Sequence, residues 1–331
     1  MKALIPAAGV GQRMRPFTNT KPKPLIFIAG KPIIGHILDS LDGIVDEVIV
    51  IVGYMKEKLI EFLDKNYSDK FKLHYVTQEE PLGLGHAVYL GLQDHQHGPM
   101  LITLGDEFFE TDYNYMYKQY KKCRPCDGSL GIKIVDDPSH YGVVTLRKDR
   151  IIKLEEKPKK PISNNAIAGV YFIDNTKMLY SCLGKMITGT TSINYQLTDA
   201  LQMMVDGGAV LKSFEVSEWY DCGRPEMLLN VNKLLLCQQG TKKFSKLNDT
   251  VIIDPVIINS GCDIKRCVIG PNVSIDSNTR MEGCIIENSI IGHACKIKDM
   301  TFKDSIIGDE VILRGKRSHM NVGENTEMVM D

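Results

Sequence analysis

Up to about residue 240, short apolar runs alternate with stretches whose apolar residues recur at helical spacing. Ala3–Pro6, Val48–Val52, Leu73–Val76 and Met100–Leu104 are largely apolar and too short for helices, so they predict buried strands. Ile33–Leu41, Lys56–Leu63, Gly85–Leu92 and Tyr113–Cys123 carry the helical period between them. Further strands are expected over Ser129–Val135, Val143–Leu146, Ile151–Glu155 and Ala166–Ile173, with a last helix from Pro225 to Gln238. This order predicts an α/β fold: a Rossmann-like parallel or mixed sheet with helices on both faces. In such sheets ligands sit beyond the carboxyl ends of the strands, where the loops gather.

After the polar stretch Gly240–Thr250 the pattern changes. From Val251 to Leu313 there are twenty Ile or Val, but one Leu and one Ala, a bias towards strand. The string Ser/Cys, Ile/Val, Ile, Gly occurs at Cys267–Gly270, Ser289–Gly292 and Ser305–Gly308. Apolar steps six residues apart, such as Ile269, Ile275 and Met281, predict a short parallel β-helix of hexapeptides. Each coil would bury its Ile and Val only against the coils above and below. The repeat drifts from 22 residues to 16, which requires insertions or deletions at some turns. Two domains are therefore expected, 1–240 and 241–331.

Composition narrows the classes. Forty Lys and Arg stand against forty-one Asp and Glu, a formal charge of -1. That balance provides no basic field for a nucleic-acid partner. No apolar run approaches the ~18 residues of a membrane span, and no targeting segment is visible, so a cytoplasmic protein is expected. The nine Cys are odd in number and scattered, and Cys123-Arg-Pro-Cys126 has no second pair at ligand spacing, which points to ordinary thiols.

The first strand runs into Ala7-Ala8-Gly9-Val10-Gly11-Gln12-Arg13-Met14. Small residues let the backbone approach a ligand, and successive N–H groups can cradle phosphate oxygens. Met14 breaks the dinucleotide fingerprint, and no Gly-Lys-Ser/Thr follows, so neither common phosphate loop applies. Instead Arg13 is followed by Lys21-Pro22-Lys23-Pro24-Leu25, whose prolines hold a lysine near the loop.

Here the chain resembles the sugar-1-phosphate nucleotidylyltransferases. The similarity runs from Gly9–Arg13 and Pro22–Leu25 through Gln78, Pro81–Val88, Leu104–Asp106, Tyr141–Val144 and Glu155–Pro158. It ends with Ala166–Gly169, Leu197–Asp199 and Trp219–Gly223. The resemblance implies attack of a hexose-1-phosphate, most simply glucose-1-phosphate, on the α-phosphorus of dTTP or UTP, with release of pyrophosphate. It implies that Arg13 and Lys23 cover the triphosphate and leaving pyrophosphate, and that Lys157 meets the sugar phosphate. Asp106 and Asp221 match the carboxylates that hold Mg²⁺, with Glu107 a weaker candidate. Ala8, Gly9, Gly11 and Gln12 would line the nucleotide, and Gln78 and Gly83 would read a pyrimidine edge. Gly142, Glu156, Ile167 and Tyr171 are assigned to the hexose. Gln12 replaces the usual Thr, and Asn194-Tyr195-Gln196 replaces the usual Gly-Glu before Leu197-Thr198-Asp199.

Uracil and thymine differ by one methyl, which a pocket discriminates by only ~1–3 kcal/mol, so both triphosphates are expected to serve. The hexapeptide tail is similar to the C-terminal left-handed β-helix that some family members carry, and because such helices pack side by side its expected role is assembly of a homo-oligomer. Two rivals follow from the same resemblance. One is a non-catalytic regulatory subunit, which could dispense with Lys23, Asp106, Lys157 or Asp221. The other adds an acetyltransferase to the β-helix, for which His293 and His319 are the candidate bases.

Overall fold

The computed structural model describes residues 1–189, 194–245 and 247–315. Contacts divide it into two units: Met1–Ile26 with Lys31–Val231, and Phe27–Gly30 with the chain from Asn232 onwards.

The strands are β1 (Lys2–Pro6), the two-residue β2 (Phe27–Ile28) and β3 (Lys31–Pro32), β4 (Glu47–Val52), β5 (Lys72–Thr77), β6 (Met100–Thr103) and β7 (Glu107–Phe109). There follow β8 (Gly128–Ile134), β9 (Gly142–Arg147), β10 (Arg150–Glu156), β11 (Asn165–Ile173), β12 (Leu211–Glu215) and β13 (Trp219–Asp221). The helices are α1 (Ile33–Leu41), α2 (Lys56–Tyr67), α3 (Leu84–Leu92), α4 (Tyr113–Cys123), α5 (Thr176–Gly189), α6 (Leu197–Asp206) and α7 (Pro225–Gln239). All strands and helices named from the pattern are present, with ends that coincide or differ by at most four residues. The pattern does not single out α5, α6, β12 or the short pair β7 and β13.

The main sheet of the first unit has nine strands in the order β5-β4-β1-β6-β11-β8-β12-β10-β9. β5, β4, β1 and β6 run parallel; β11 is antiparallel to both β6 and β8. The sheet is thus mixed. Both faces are covered, as alternation along β11 shows. Tyr171 and Ile173 enter a core with Val88 and Leu92 of α3, Leu183 of α5 and Leu201 of α6. Phe172, on the other face, stacks on Tyr120 of α4 with ring centroids 4.6 Å apart. A second, two-stranded sheet pairs β7 with β13, setting Glu107 opposite Asp221 and Trp219 opposite Phe109.

In the second unit short parallel strands stack into two sheets of five and one of four, as in a left-handed β-helix. The drift in the repeat has a simple origin. Val251 pairs with Val268, and Val268 with Ile285, at 17 residues per coil, whereas Ser274 pairs with Ile290 and Ile290 with Ile306 at 16. Each coil therefore lacks one or two residues of three full hexapeptides. The 22-residue step spans a coil plus one side, because Cys267 and Ser289 precede strands of different sheets. The stack also begins earlier than the Ile/Val texture, at Lys242–Lys243 and Leu247–Asn248 within the polar stretch. Its interior is filled by Ile258, Ile264, Ile275, Ile286 and Ile297, with the small side chains of Cys284 and Cys295 between them. All nine cysteines are free thiols. Among the described residues, no helix is long and apolar enough to cross a membrane.

Candidate active site

The parallel strands β1 and β6 end side by side, and the loops that follow them build the larger cleft, about 710 Å³. Ala8, Gly9, Gly11, Gln12 and Arg13 line it after β1, and Leu104, Gly105 and Asp106 after β6. Gln78, Gly83, Leu84, Lys23 and Gly223 complete the wall. All eight residues expected at the nucleotide lie on this one cleft.

Lys23 sits in a short 3-10 turn, Lys23–Leu25, which Pro24 helps to form. The turn buries the lysine to 8% exposure and points its ammonium at two carboxylates. Nζ is hydrogen-bonded to Asp106 Oδ2 and lies 3.5 Å from Asp221 Oδ1. Burial pulls the ammonium pKa down, but Asp106 and then Asp221 outweigh it, so the pKa lies above the ordinary lysine value. Arg13 Nη2 lies 3.5 Å from Asp221 Oδ2 and remains 62% exposed in the cleft mouth. Asp106 and Asp221, 115 positions apart in sequence, thus share one buried cation. The pairing of β7 with β13 brings them there, since Asp106 precedes Glu107 and Cys222 N donates to Asp106 O at 2.9 Å.

Gln78 follows β5 and is 8% exposed. Its Nε2 donates to Gly83 O at 3.2 Å and lies 3.2 Å from His86 Nδ1. Gly83 adopts φ +96°, and a Cβ there would lie 2.4 Å from Asn194 Oδ1 and 2.6 Å from Tyr195 O. Two backbone bonds, Tyr195 N to Leu82 O at 2.8 Å and Gly85 N to Tyr195 O at 2.7 Å, hold this loop against the segment before α6. The Asn194–Gln196 segment therefore packs against the loop that carries Gly83.

A smaller cavity, about 180 Å³, is lined by Gly142, Glu156, Lys157, Ile167, Gly169 and Tyr171, together with Leu84, Leu104, Glu107 and Gln196–Thr198. All five residues expected at the sugar phosphate border it. Thr198 Oγ1 donates to Glu156 Oε2 at 2.6 Å, and Lys157 Nζ lies 3.6 Å from Glu156 Oε1. Lys157 follows the last residue of β10 at φ +43°, a left-handed conformation that costs a non-glycine residue roughly 1–3 kcal/mol and is tolerated where its surroundings hold it. Its N–H donates to Tyr141 O at 3.0 Å. Gln196, Thr198 and Leu84 were not among the residues expected here. A signal was available for each: Thr198 lies in Leu-Thr-Asp, Gln196 in the segment that replaces the usual Gly-Glu, and Leu84 in Pro81–Val88.

Glu107 is part-buried, and its Oε2, sealed from solvent, has no hydrogen-bond partner. Burial, with Asp106 and Asp221 adding to it, pushes its carboxyl well above the ordinary range. Trp219 packs edge-to-face on Tyr141 at 5.4 Å, at the start of the strand that ends in Asp221. His293 is partly buried and lies 3.0 Å from Ser277 Oγ; His319 lies outside the described residues. Among the described residues, no three His, Cys, Asp or Glu side chains gather as a metal cage.

Comparison with known proteins follows the same lines. Residues 2–238 match the family model described as nucleotidyl transferase. The "bifunctional protein GlmU" of Methanococcus maripaludis (strain S2) is 32% identical over 98% of this chain and 80% of that protein. A glucose-1-phosphate thymidylyltransferase of Streptomyces antibioticus is 31% identical over 88% of this chain and 87% of that protein. Among solved structures, a UDP-glucose pyrophosphorylase complexed with UDP-glucose superposes with a TM-score of 0.62. It is 26% identical and covers 72% of this chain and 98% of that one.

Proposed function

We propose a specific reaction for this chain, which belongs to the nucleotidyl transferase family as a sugar-1-phosphate nucleotidyltransferase: glucose-1-phosphate plus dTTP or UTP gives dTDP- or UDP-glucose and pyrophosphate. The observation that carries it is the cluster of Arg13, Lys23, Asp106 and Asp221 at the mouth of the Gly-rich cleft, beside a cavity lined by Glu156 and Lys157.

A phosphate oxygen attacking a triphosphate meets strong like-charge repulsion. Catalysis is therefore chiefly alignment and charge neutralisation, with no covalent intermediate. Lys23 and Arg13 are placed to cover the triphosphate and the leaving pyrophosphate. Lys157, at the wall of the smaller cavity, would meet the sugar phosphate. Gln78, its amide oriented by Gly83 O and His86, would read the base edge.

The donor set fits Mg²⁺. Two carboxylates that already share one cation, with no further cage, suit a hard ion that completes its shell with phosphate oxygens and waters. When bound between Asp106 and Asp221, Mg²⁺ would neutralise phosphate charge that the lysines do not reach. The side chains hold that position: Asp221 is fixed by the β7–β13 pair and Asp106 by Lys23.

The test is pyrophosphate release across a matrix of nucleoside triphosphates and sugar-1-phosphates. Turnover is expected with dTTP, UTP or both, and with glucose-1-phosphate among the acceptors. Nucleotide binding without turnover of any sugar phosphate would mark a regulatory protein instead. Asp106→Ala is expected to abolish metal-dependent turnover, and full activity in that variant would overturn the metal assignment.

A further inference from the structure

Gln78 and His86 determine each other's hydrogens. Gly83 O can only accept, so the Gln78 atom 3.2 Å from it is the amide nitrogen. That nitrogen carries two hydrogens. One goes to Gly83 O, and the other points at His86 Nδ1, also 3.2 Å away. Nδ1 must therefore be bare, with the imidazole proton on Nε2. Oε1 is the polar atom that Gln78 has left for a ligand. Among the described residues nothing donates to it, and it is not sealed from solvent. Gln78 lines the larger cleft, whereas His86 is not among the described residues that do, and acts from behind it.

The backbone on both sides of this contact is fixed. Gln78 N donates to Val52 O, at the end of β4, at 2.8 Å. His86 lies in the first turn of α3, between the buried Gly85 and Ala87. Gly85 N donates to Tyr195 O at 2.7 Å, and a Cβ on Gly85 would lie 2.9 Å from that oxygen. Ala87 N donates to Gly83 O at 3.2 Å, so the carbonyl that orients the amide is itself held by the helix. Which end of the amide faces the cleft decides which base fits. Uracil and thymine carry a hydrogen on N3, whereas N3 of cytosine is bare. An amide oxygen accepts from the first and repels the second, and an amide turned over would do the reverse.

We propose that His86 is a positioning residue for base selection. Its bare Nδ1, together with Gly83 O, locks the Gln78 amide with Oε1 towards the N3–H of a uracil or thymine ring, and so excludes cytosine. The proposal rests on the pyrophosphorylase reading above and adds to it a residue that touches no substrate.

The test compares the full-length wild type with His86→Leu and His86→Asn. Nucleotides are UTP, dTTP and CTP, at saturating sugar phosphate and Mg²⁺, with calorimetric binding of UTP and CTP alone in parallel. The wild type is expected to prefer UTP to CTP at least about a hundredfold in kcat/KM, because a site built to accept from an N–H rejects a base without one. His86→Leu leaves one amide hydrogen unpaired. It is expected to raise the UTP and dTTP KM roughly three- to tenfold and to narrow the preference over CTP, with kcat and the acceptor KM little changed. Asparagine places Oδ1 where Nδ1 stood, so His86→Asn is expected to recover most of both losses. Long-range nitrogen–proton NMR of the wild type reads the tautomer directly, and His86 is expected to carry its proton on Nε2. Unchanged nucleotide KM and base preference in a folded His86→Leu would overturn the proposal. So would a proton on Nδ1, equal binding of UTP and CTP by the wild type, or equal losses in the two variants. If His86→Leu does not fold, the tautomer and His86→Asn decide: a bare Nδ1 with the base preference retained supports the proposal, and a protonated Nδ1 or a lost preference overturns it. A wild type that binds UTP over CTP but turns over no sugar phosphate defeats the pyrophosphorylase reading, and the binding comparison then decides on His86 alone.

Discussion

At Lys23 two opposing effects meet: burial disfavours its charge, and Asp106 with Asp221 favours it more strongly. Replacing one member of such a cluster leaves the others uncompensated. Lys23→Met keeps the length and apolar stem but removes the cation. It is expected to lower kcat/KM for pyrophosphate release at least about a hundredfold, the scale seen when one preorganised charge-stabilising donor is lost. Steady-state kinetics with the nucleotide varied provide the check. Gly83 shows a different constraint. A methyl group there meets Asn194 Oδ1 and Tyr195 O well inside contact distance, at a φ that L-residues avoid. Gly83→Ala is expected to destabilise the fold by about 1–3 kcal/mol and to raise the nucleotide KM, because Gln78 loses its aligned carbonyl partner. Thermal melting and nucleotide titration separate the two effects.

Helix α1 is tied to its surroundings through Asp39, which pairs with Lys31 and lies 3.1 Å from Lys70 Nζ. Burial raises the Asp39 carboxyl, but the two lysines outweigh it and hold it below its ordinary value. A carboxyl depressed in the folded state stabilises above its unfolded pKa, roughly 3.9, and that stabilisation is lost as the pH falls through the lower folded value. Asp39→Asn is therefore expected to melt earlier than wild type at neutral pH, with the gap closing below about pH 4. Melting curves across that range check the sign. In the β-helix the corresponding element is the coil. Ile286 is fully buried between Ile269 and Phe302 on the coils either side. Ile286→Ala is expected to cost about 2–5 kcal/mol, because a one-coil-thick stack has no second layer to close the cavity. Denaturant titration of the variant measures it.

At the scale of the molecule a net charge of -1 gives no long-range attraction for a triphosphate, so capture depends on a few local cations. Arg13, 62% exposed, is the one most open to screening. The nucleotide KM is expected to rise severalfold between about 0.01 and 0.15 M salt, as the Debye length shrinks from ~30 to ~8 Å. Activity at fixed nucleotide and graded salt tests this.

Most strands and helices were legible in the sequence because burial imposes its period directly: Ile33–Leu41 and Tyr113–Cys123 are helices with the expected ends. The β-helix was legible from Ile and Val at six-residue steps, but its first coil was not. Lys242–Lys243 is a polar strand that pairs through backbone groups, which leave no trace in side-chain type, and Leu247–Asn248 offers a single apolar residue to the core, too little to show a period. β7 and β13 were hidden for a related reason, since each is three residues long and too short to show a period. Yet that pair aligns Asp221 with Glu107 and so brings Asp106 and Asp221 to one lysine. The motifs determined by themselves which side chains carry charge and which glycines can approach a ligand, because residue type and local conformation depend on neighbours in the chain. The tertiary structure alone decided that Asp106 and Asp221 share Lys23, that Asn194–Gln196 packs against the Gly83 loop, and that Glu107 stands unmatched beside Glu156. Each of these depends on separations of a few ångströms between residues far apart in sequence, and such distances are set by packing.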